Sequence, residues 1–209
     1  MKRGFTLIEM LVVLGIIAVL IGAAASSYTT FVKKAQAARG KELVDNVKTA
    51  LEAILQIDDA WPRAILAAGQ GGNGELTADV AGELARRGVL KLTYKRTTNG
   101  ATGETVYRLT GLDQCGVVSP WASDVIKRKL AAGAVPDSLR VPSGGTIADH
   151  RLRFAVDADY DGITDVAVSA TGGGSARVRA SVCVWCCGHD GKFGTKDDIY
   201  SWTPAQEVR

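Results

Sequence analysis

An unbroken apolar stretch near the N-terminus constrains this chain more than any other feature. Residues 5–25 include only four that are not apolar, and no Asp, Glu, Lys or Arg occurs in 10–32. As an α-helix, 5–25 is about 31 Å long, which matches the hydrocarbon core of a bilayer at about 30 Å. Lys2 and Arg3 precede it, which favours a cytoplasmic N-terminus and export of the remainder. We therefore expect a single membrane-spanning segment.

Glu9 lies inside this stretch and bears on how the chain is processed. A conventional secretory signal, cut after the small residues Ala23–Ala25, would release a soluble protein that begins at Ser26. The apolar core of such signals is typically about 7–15 residues, which is shorter than this stretch. A carboxylate in an apolar segment costs about 2–3 kcal/mol on insertion scales. We therefore expect Glu9 to pair with a group that compensates its charge. A charge with a partner serves no purpose in a signal peptide that is removed, so Glu9 favours a helix that is retained after processing.

The sequence Gly4-Phe5-Thr6-Leu7-Ile8-Glu9 resembles the leader junction of type IV pilins and of the pseudopilins of type II secretion. The resemblance implies that a prepilin peptidase cuts after Gly4 and that the freed amine of Phe5 is methylated. It also implies that Glu9 pairs with the amine of a neighbouring subunit. A buried carboxylate and a buried ammonium are each costly alone but tolerable as a pair, so Glu9 is expected to act in assembly.

The residues after the apolar stretch predict the fold class. Apolar side chains recur at helical spacing from Tyr28 to about Ile57, and Pro62 ends the helix because the residue before a proline avoids the α region. Shorter helical and strand-like segments follow. We expect an α+β, pilin-like fold in which a long N-terminal helix packs on a small antiparallel β-sheet domain. The predicted divisions are a leader (1–4), a transmembrane and polymerisation helix (5–25), its amphipathic continuation (26–60) and a periplasmic α+β globular domain (61–209).

The C-terminal segment 182–202 resembles the end of the G-type major pseudopilin of type II secretion. In that family a strand, a G-x-D-G turn and a D-D-I-x-S-W ending build one calcium site. The resemblance implies a calcium-type loop over 188–202. Its implied ligands are the carboxylates of Asp190, Asp197 and Asp198, backbone carbonyls around Gly188, and Ser201. Oxygen ligands of this kind suit calcium, although the same letters without the resemblance describe an Asp/Gly turn.

A second acidic loop, 157–165, follows the spacing of a calcium loop. Positions 1, 3, 5 and 9 are Asp157, Asp159, Asp161 and Asp165. Gly162 stands at position 6, where a calcium loop requires glycine, but Val168 replaces the bidentate glutamate of position 12. The loop is therefore predicted either as a hairpin turn or as a weak calcium site.

Four cysteines, Cys115, Cys183, Cys186 and Cys187, lie in the part that is expected to be exported. An oxidising compartment favours disulfides, and four cysteines allow three connectivities. We expect one long-range bond from Cys115 to one of the other three. The Cys183-x-x-Cys186 spacing also occurs in zinc and thioredoxin-like sites, but this chain offers few further zinc ligands.

The sequence carries no enzyme signature of the G-x-S-x-G, H-E-x-x-H or Walker type. A net charge of +3 with interspersed basic residues gives no strong drive towards nucleic acid. The resemblance implies a structural subunit of a type II secretion pseudopilus, anchored in the bacterial inner membrane with its C-terminal domain in the periplasm. It implies a homo-oligomeric helical filament that drives protein export, with other pseudopilins and the inner-membrane assembly platform as partners. The alternatives are a type IV pilus subunit for adhesion, motility or DNA uptake, and a secreted calcium-stabilised binding domain cleaved after Ala25.

Overall fold

The computed structural model describes residues 7–92, 94–98, 105–109, 115–130, 138–171 and 174–208. The chain forms two compact units, one that ends at Gln36 and one that runs from Ala37 to Arg209. The predicted leader 1–4 and the processing residues Gly4 and Phe5 lie outside the described residues.

A single helix, α1, runs from Leu7 to Asp58 over 52 residues and so contributes to both units. Asp59 follows it with a φ of 52°, a left-handed conformation that commonly terminates helices. Pro62 comes three residues later and cannot continue the helix. The helix end predicted from the sequence therefore lies within one residue of the observed end.

In the second unit, α1 packs on a four-stranded antiparallel sheet. The strands are β1 (Gly74–Glu75), β4 (Arg153–Val156), β7 (Val182–Cys186) and β8 (Ile199–Tyr200), in the order β1-β4-β7-β8. One face of the helix is completely or almost completely buried against this sheet, at Val44, Val47, Leu51 and Ile54. Val182, Val184 and Cys186 of β7 belong to the same apolar cluster, so α1 covers one face of the sheet.

The opposite face of β7 is covered by a second, three-stranded antiparallel sheet. Its strands are β5 (Thr164–Val166), β6 (Ala176–Val178) and β9 (Glu207–Val208), in the order β5-β6-β9. Cys183 and Trp185 pack there with Val166, Val178 and Trp202. Strand β7 is thus buried on both faces, which explains its almost uniformly apolar sequence.

The remaining elements surround this layered core. They are α2 (Arg63–Gly69), α3 (Ala78–Arg86), α4 (Pro120–Leu130), the antiparallel hairpin β2 (Tyr94–Thr98) with β3 (Thr105–Leu109), and a 3₁₀ turn at Pro204–Gln206. The predicted α+β arrangement, a long N-terminal helix packed on a small antiparallel sheet domain, is confirmed.

Candidate functional sites

The N-terminal unit presents a continuous apolar surface along α1. Twelve large apolar side chains between Leu7 and Ile21 are 45% to 84% exposed. They are Leu7, Ile8, Met10, Leu11, Val12, Val13, Leu14, Ile16, Ile17, Val19, Leu20 and Ile21. Soluble monomers rarely expose apolar patches of this extent, and burial of apolar surface is worth about 25 cal/mol per Å². Contact with lipid or with other protein chains would therefore stabilise this part of the helix.

Glu9 lies in the first turn of α1 and is exposed. A carboxylate in the first turn interacts favourably with the helix dipole, and Glu9 stands within the row of apolar side chains. Its pairing with the amine of another subunit stays a prediction. No helical stretch in the described part of the chain combines the length and the apolar character that a membrane crossing requires. The predicted segment 5–25 starts outside that part, and its role in the membrane also stays a prediction.

The three carboxylates that the C-terminal motif singled out come together in space. Asp190, Asp197 and Asp198 each offer one oxygen, and these oxygens lie within 4.8 Å of one another. Asp197 and Asp198 end the loop immediately before β8, whereas Asp190 lies in the turn after β7. The pairing of β7 with β8 therefore brings the two ends of the loop together.

Hydrogen bonds within the loop hold these carboxylates in place. Asp198 accepts backbone N–H bonds from Gly188 at 3.1 Å, Gly194 at 2.6 Å and Thr195 at 3.1 Å. The Thr195 hydroxyl oxygen lies 2.8 Å from Asp197 Oδ1, 3.2 Å from Asp198 Oδ1 and 3.5 Å from Asp190 Oδ1. One hydroxyl has a single proton to donate, so Thr195 cannot satisfy all three carboxylates at once.

The environment moves the pKa values of two of these carboxyl groups in opposite directions. Burial raises the pKa of Asp198 above its usual value despite the hydrogen bonds from the Gly188 and Thr195 amides. Burial also acts to raise the pKa of Asp197, but the Thr195 hydroxyl and backbone N–H groups outweigh it and the pKa is lowered. A bound cation would favour the charged form of both groups.

The loop fits a calcium ion in its chemistry and its shape. Three convergent carboxylates supply the hard oxygen ligands that calcium requires. At position 188 a Cβ would overlap the carboxyl group of Asp197, so only glycine lets the chain close around this cluster. Ser201 is held differently, because its hydroxyl accepts a hydrogen bond from the Val184 amide at 2.9 Å. The structure thus ties this predicted ligand to β7.

The second acidic loop brings together three of its four predicted residues. Oxygens of Asp157, Asp159 and Asp161 lie within 4.8 Å of one another, and Asp157 accepts the backbone N–H groups of Asp161 and Gly162 at 3.2 and 2.8 Å. Asp165 is not in this group. It lies on β5, where its carboxylate accepts a hydrogen bond from Arg177 Nε at 3.2 Å. Strand β5 begins before position 9 of the loop, so the structure does not bring Asp165 together with the other three, and its role as a ligand stays a prediction.

The cysteines are buried in different parts of the core. Cys183 and Cys186 lie on opposite faces of β7, and Cys115 packs in a separate cluster with Val118 and Ile126. Cys183, Cys186 and Cys187 are free thiols in this structure, so the predicted bond from Cys115 to one of them is not formed here. Burial raises the pKa of Cys183 and of Cys187 to about 12, which disfavours the thiolate form of both groups at neutral pH.

His150 connects three segments in a fully buried position that sequence reasoning missed. Its Nε2 lies 2.8 Å from the carbonyl oxygen of Gly144, so Nε2 carries the proton and donates. Its Nδ1 therefore accepts from the Ser119 hydroxyl at 2.7 Å, and the Cys187 sulfur lies 3.3 Å from the same nitrogen. A lone histidine between unrelated segments carries no pattern in the sequence, which is why only the fold reveals this contact.

Comparisons with known proteins agree with the N-terminal features. The model of the prokaryotic N-terminal methylation motif matches residues 1–25. A type IV major fimbrial protein, FimA, of Dichelobacter nodosus is 36% identical over 74 residues, which is 35% of this chain and 46% of the relative. A fimbrial protein of the same organism shares the same identity and coverage. This chain therefore spans about half the length of these curated relatives. No solved structure matches it. Together, the methylation motif and the similarity to type IV fimbrial proteins support a type IV pilin-like protein.

Proposed function

We propose that this chain is a structural, non-catalytic subunit of a pilin-like filament that assembles through its N-terminal helix. The row of exposed apolar side chains over Leu7–Ile21 carries the proposal. Before assembly, lipid would cover this surface, and in the filament other copies of the helix would do so. The subunit would wait in the bacterial inner membrane with its C-terminal domain in the periplasm.

Processing follows from the same N-terminal features. A prepilin peptidase would cut after Gly4 and leave Phe5 as a methylated N-terminus. Glu9, five residues into the processed chain, would pair with the amine of a neighbouring subunit. Determination of the N-terminus and intact mass of protein purified from membranes tests this. A chain that begins at Ser26 would instead support a secreted calcium-stabilised domain.

A matched pair of variants tests the assembly role of Glu9. Glu9→Leu is expected to leave processing intact but to abolish filaments, because the amine of the neighbouring subunit loses its partner. Glu42→Leu, which removes an exposed glutamate from the same helix, is the control and should assemble normally. Normal filaments from Glu9→Leu would contradict the pairing.

Two filament types are compatible with such a subunit. The C-terminal carboxylate loop supports a type II secretion pseudopilus, in which other pseudopilins and the inner-membrane platform are partners and protein export is the result. The fimbrial names of the relatives favour a second candidate, a type IV pilus subunit. Shearing of intact cells distinguishes the two, because surface fibres are released into the medium and a periplasmic filament is not.

We also propose that the C-terminal loop binds calcium through Asp190, Asp197 and Asp198. The ion would neutralise three neighbouring carboxylates and cross-link the two ends of the loop. Calcium should raise the melting temperature of wild type and of Asp79→Asn, an exposed control in α3. The double variant Asp197→Asn with Asp198→Asn should lose this response. A wild-type melting temperature that is the same with calcium and with chelator would exclude the site.

The loop at 157–165 is the second candidate position for calcium, through Asp157, Asp159 and Asp161. Calorimetric titration of the double variant decides this, since residual binding of one ion would be assigned to the second loop. Loss of that residual binding in a further Asp159→Asn variant would complete the assignment.

A further inference from the structure

Strand β8 joins the proposed calcium loop to helix α1 through two residues. The Tyr200 hydroxyl donates to Asp198 Oδ2 at 3.0 Å, and the Tyr200 carbonyl accepts from Lys41 Nζ at 2.9 Å. Next to it, Ile199 packs on Gly40 so closely that a Cβ there would lie 2.5 Å from Ile199 Cδ1. Tyr200 therefore bonds a loop carboxylate with its side chain and a helix side chain with its backbone.

The strand between these contacts is short. It is two residues long, lies at the edge of the four-stranded sheet and pairs only with β7 among the described strands. Short edge strands are held by few ladder hydrogen bonds. Its position is also held by the ring contact of Tyr200 with Trp202 and by the hydrogen bonds between Ser201 and Val184. The loop that precedes it and the helix surface that it covers supply the remaining contacts.

We propose that Lys41 is a positioning residue for the cation held by Asp190, Asp197 and Asp198, and that it acts through Tyr200. The inference rests on the calcium site of the proposed function. A cation that fixes Asp198 also fixes the partner of the Tyr200 hydroxyl, while the Lys41 ammonium fixes the carbonyl of the same residue. Such coupling is reciprocal. If Lys41 strengthens cation binding, then a bound cation must stabilise the contact of Lys41 with Tyr200, and this orders α1 around Gly40.

Simple electrostatics predicts the opposite effect of removing Lys41. Its ammonium repels a cation, so loss of this charge alone would tighten calcium binding. Loss of the link through Tyr200 would weaken it. The direction of the change in affinity therefore separates positioning from a charge effect.

Lys48 provides a matched control on the same helix. Lys41 bridges Asp45 at 2.9 Å and Lys48 bridges Glu52 at 3.6 Å, both with i,i+4 spacing. Calcium binding to the full-length protein in detergent is measured by titration calorimetry for wild type, Lys41→Met, Lys41→Arg and Lys48→Met. We expect Lys41→Met to bind calcium about 5- to 30-fold more weakly, Lys41→Arg to restore binding, and Lys48→Met to bind within about 2-fold of wild type.

Hydrogen exchange supplies a readout that general destabilisation does not move. Calcium should slow exchange of the α1 amides around Gly40 in wild type and in Lys48→Met, and should have no effect there in Lys41→Met. The inference about Lys41 would be overturned if Lys41→Met bound calcium as tightly as wild type or more tightly. It would also be overturned if calcium did not change hydrogen exchange of the α1 amides in wild type. Neither result would exclude the calcium site itself. Absence of calcium binding by wild type would overturn the calcium site and the inference together, and would leave the Glu9 test of filament assembly unaffected.

Discussion

The backbone of Gly188 lies so close to the carboxyl group of Asp197 that any larger residue at position 188 would overlap it. The contact closes the loop, because Gly188 follows β7 and Asp197 precedes β8. It also places the Gly188 amide 3.1 Å from Asp198 Oδ1. Because Gly188 has no side chain, its backbone can contact both Asp197 and Asp198.

Gly188→Ala is therefore expected to destabilise the second unit by about 1–3 kcal/mol, the usual cost of an added methyl group in a packed site. It should also abolish the rise in melting temperature with calcium, since Asp197 must move. Thermal unfolding with calcium and with chelator measures both effects. Gly71→Ala is the control, because a Cβ at that position meets nothing within 4 Å. A calcium response that survives Gly188→Ala would contradict this account of the loop.

The residues of the acidic loop at 188–202 differ in how well the sequence predicted their positions. Asp190, Asp197 and Asp198 were predictable because the family motif fixes their spacing, and the structure brings all three together. Thr195 was missed because a hydroxyl residue in an acidic loop has no distinctive spacing. Tyr200 was missed as a link because its carbonyl bonds Lys41, which is 159 positions away in sequence.

Other residues could not be placed from the sequence because their contacts depend on the tertiary fold. Asp165 matched a position of a calcium loop, but the chain had already entered β5, where the carboxylate pairs with Arg177. The long helix and the helical spacing of its apolar residues could be predicted from the sequence, because both depend on local periodicity. Contacts between distant segments, such as those of His150, depend on packing that periodicity does not encode.

Acid should destabilise the second unit through His150. Burial lowers the pKa of His150 below its usual value of 6.5, so the unfolded chain takes up a proton more readily than the folded chain. Stability is then fully present above the unfolded pKa and falls as the pH drops towards the folded pKa. Below pH 6.5 the slope for one proton is at most about 1.4 kcal/mol per pH unit. Protonation of Nδ1 also removes the acceptor of the Ser119 hydroxyl.

Urea unfolding between pH 5 and 8 measures this slope. His150→Gln should be less stable at pH 8 but should show a flatter dependence below pH 6.5. His189→Gln is the comparison, because His189 lies partly exposed in the C-terminal loop and its charge is only a minor cause of the lowered pKa of His150. It should change the slope less than His150→Gln does. An unchanged slope in His150→Gln would assign the acid sensitivity to other groups.

A disulfide between Cys183 and Cys186 is incompatible with β7. Residues three apart in a strand have Cα atoms about 10 Å apart, whereas a disulfide requires about 4.4–6.8 Å. The connectivity that pairs these two cysteines is therefore excluded while the strand is intact. A chymotryptic digest under non-reducing conditions, with cleavage after Trp185, should contain no peptide that links Cys183 to Cys186. Such a peptide from folded protein would contradict the strand assignment, and a reduced sample is the control.

The second acidic loop is expected to stabilise the end of helix α1. Tyr160 accepts the backbone N–H of Trp61 at 2.9 Å, and the Trp61 indole donates to the Asp157 carbonyl at 2.7 Å. Tyr160→Phe leaves the buried Trp61 with an unpaired backbone donor, which should cost about 1–3 kcal/mol of unfolding free energy in urea. Tyr28→Phe, at an exposed position of α1, is the control and should change stability by less than about 0.5 kcal/mol. Equal stability of Tyr160→Phe and wild type would show that the Tyr160 hydroxyl does not stabilise the helix end.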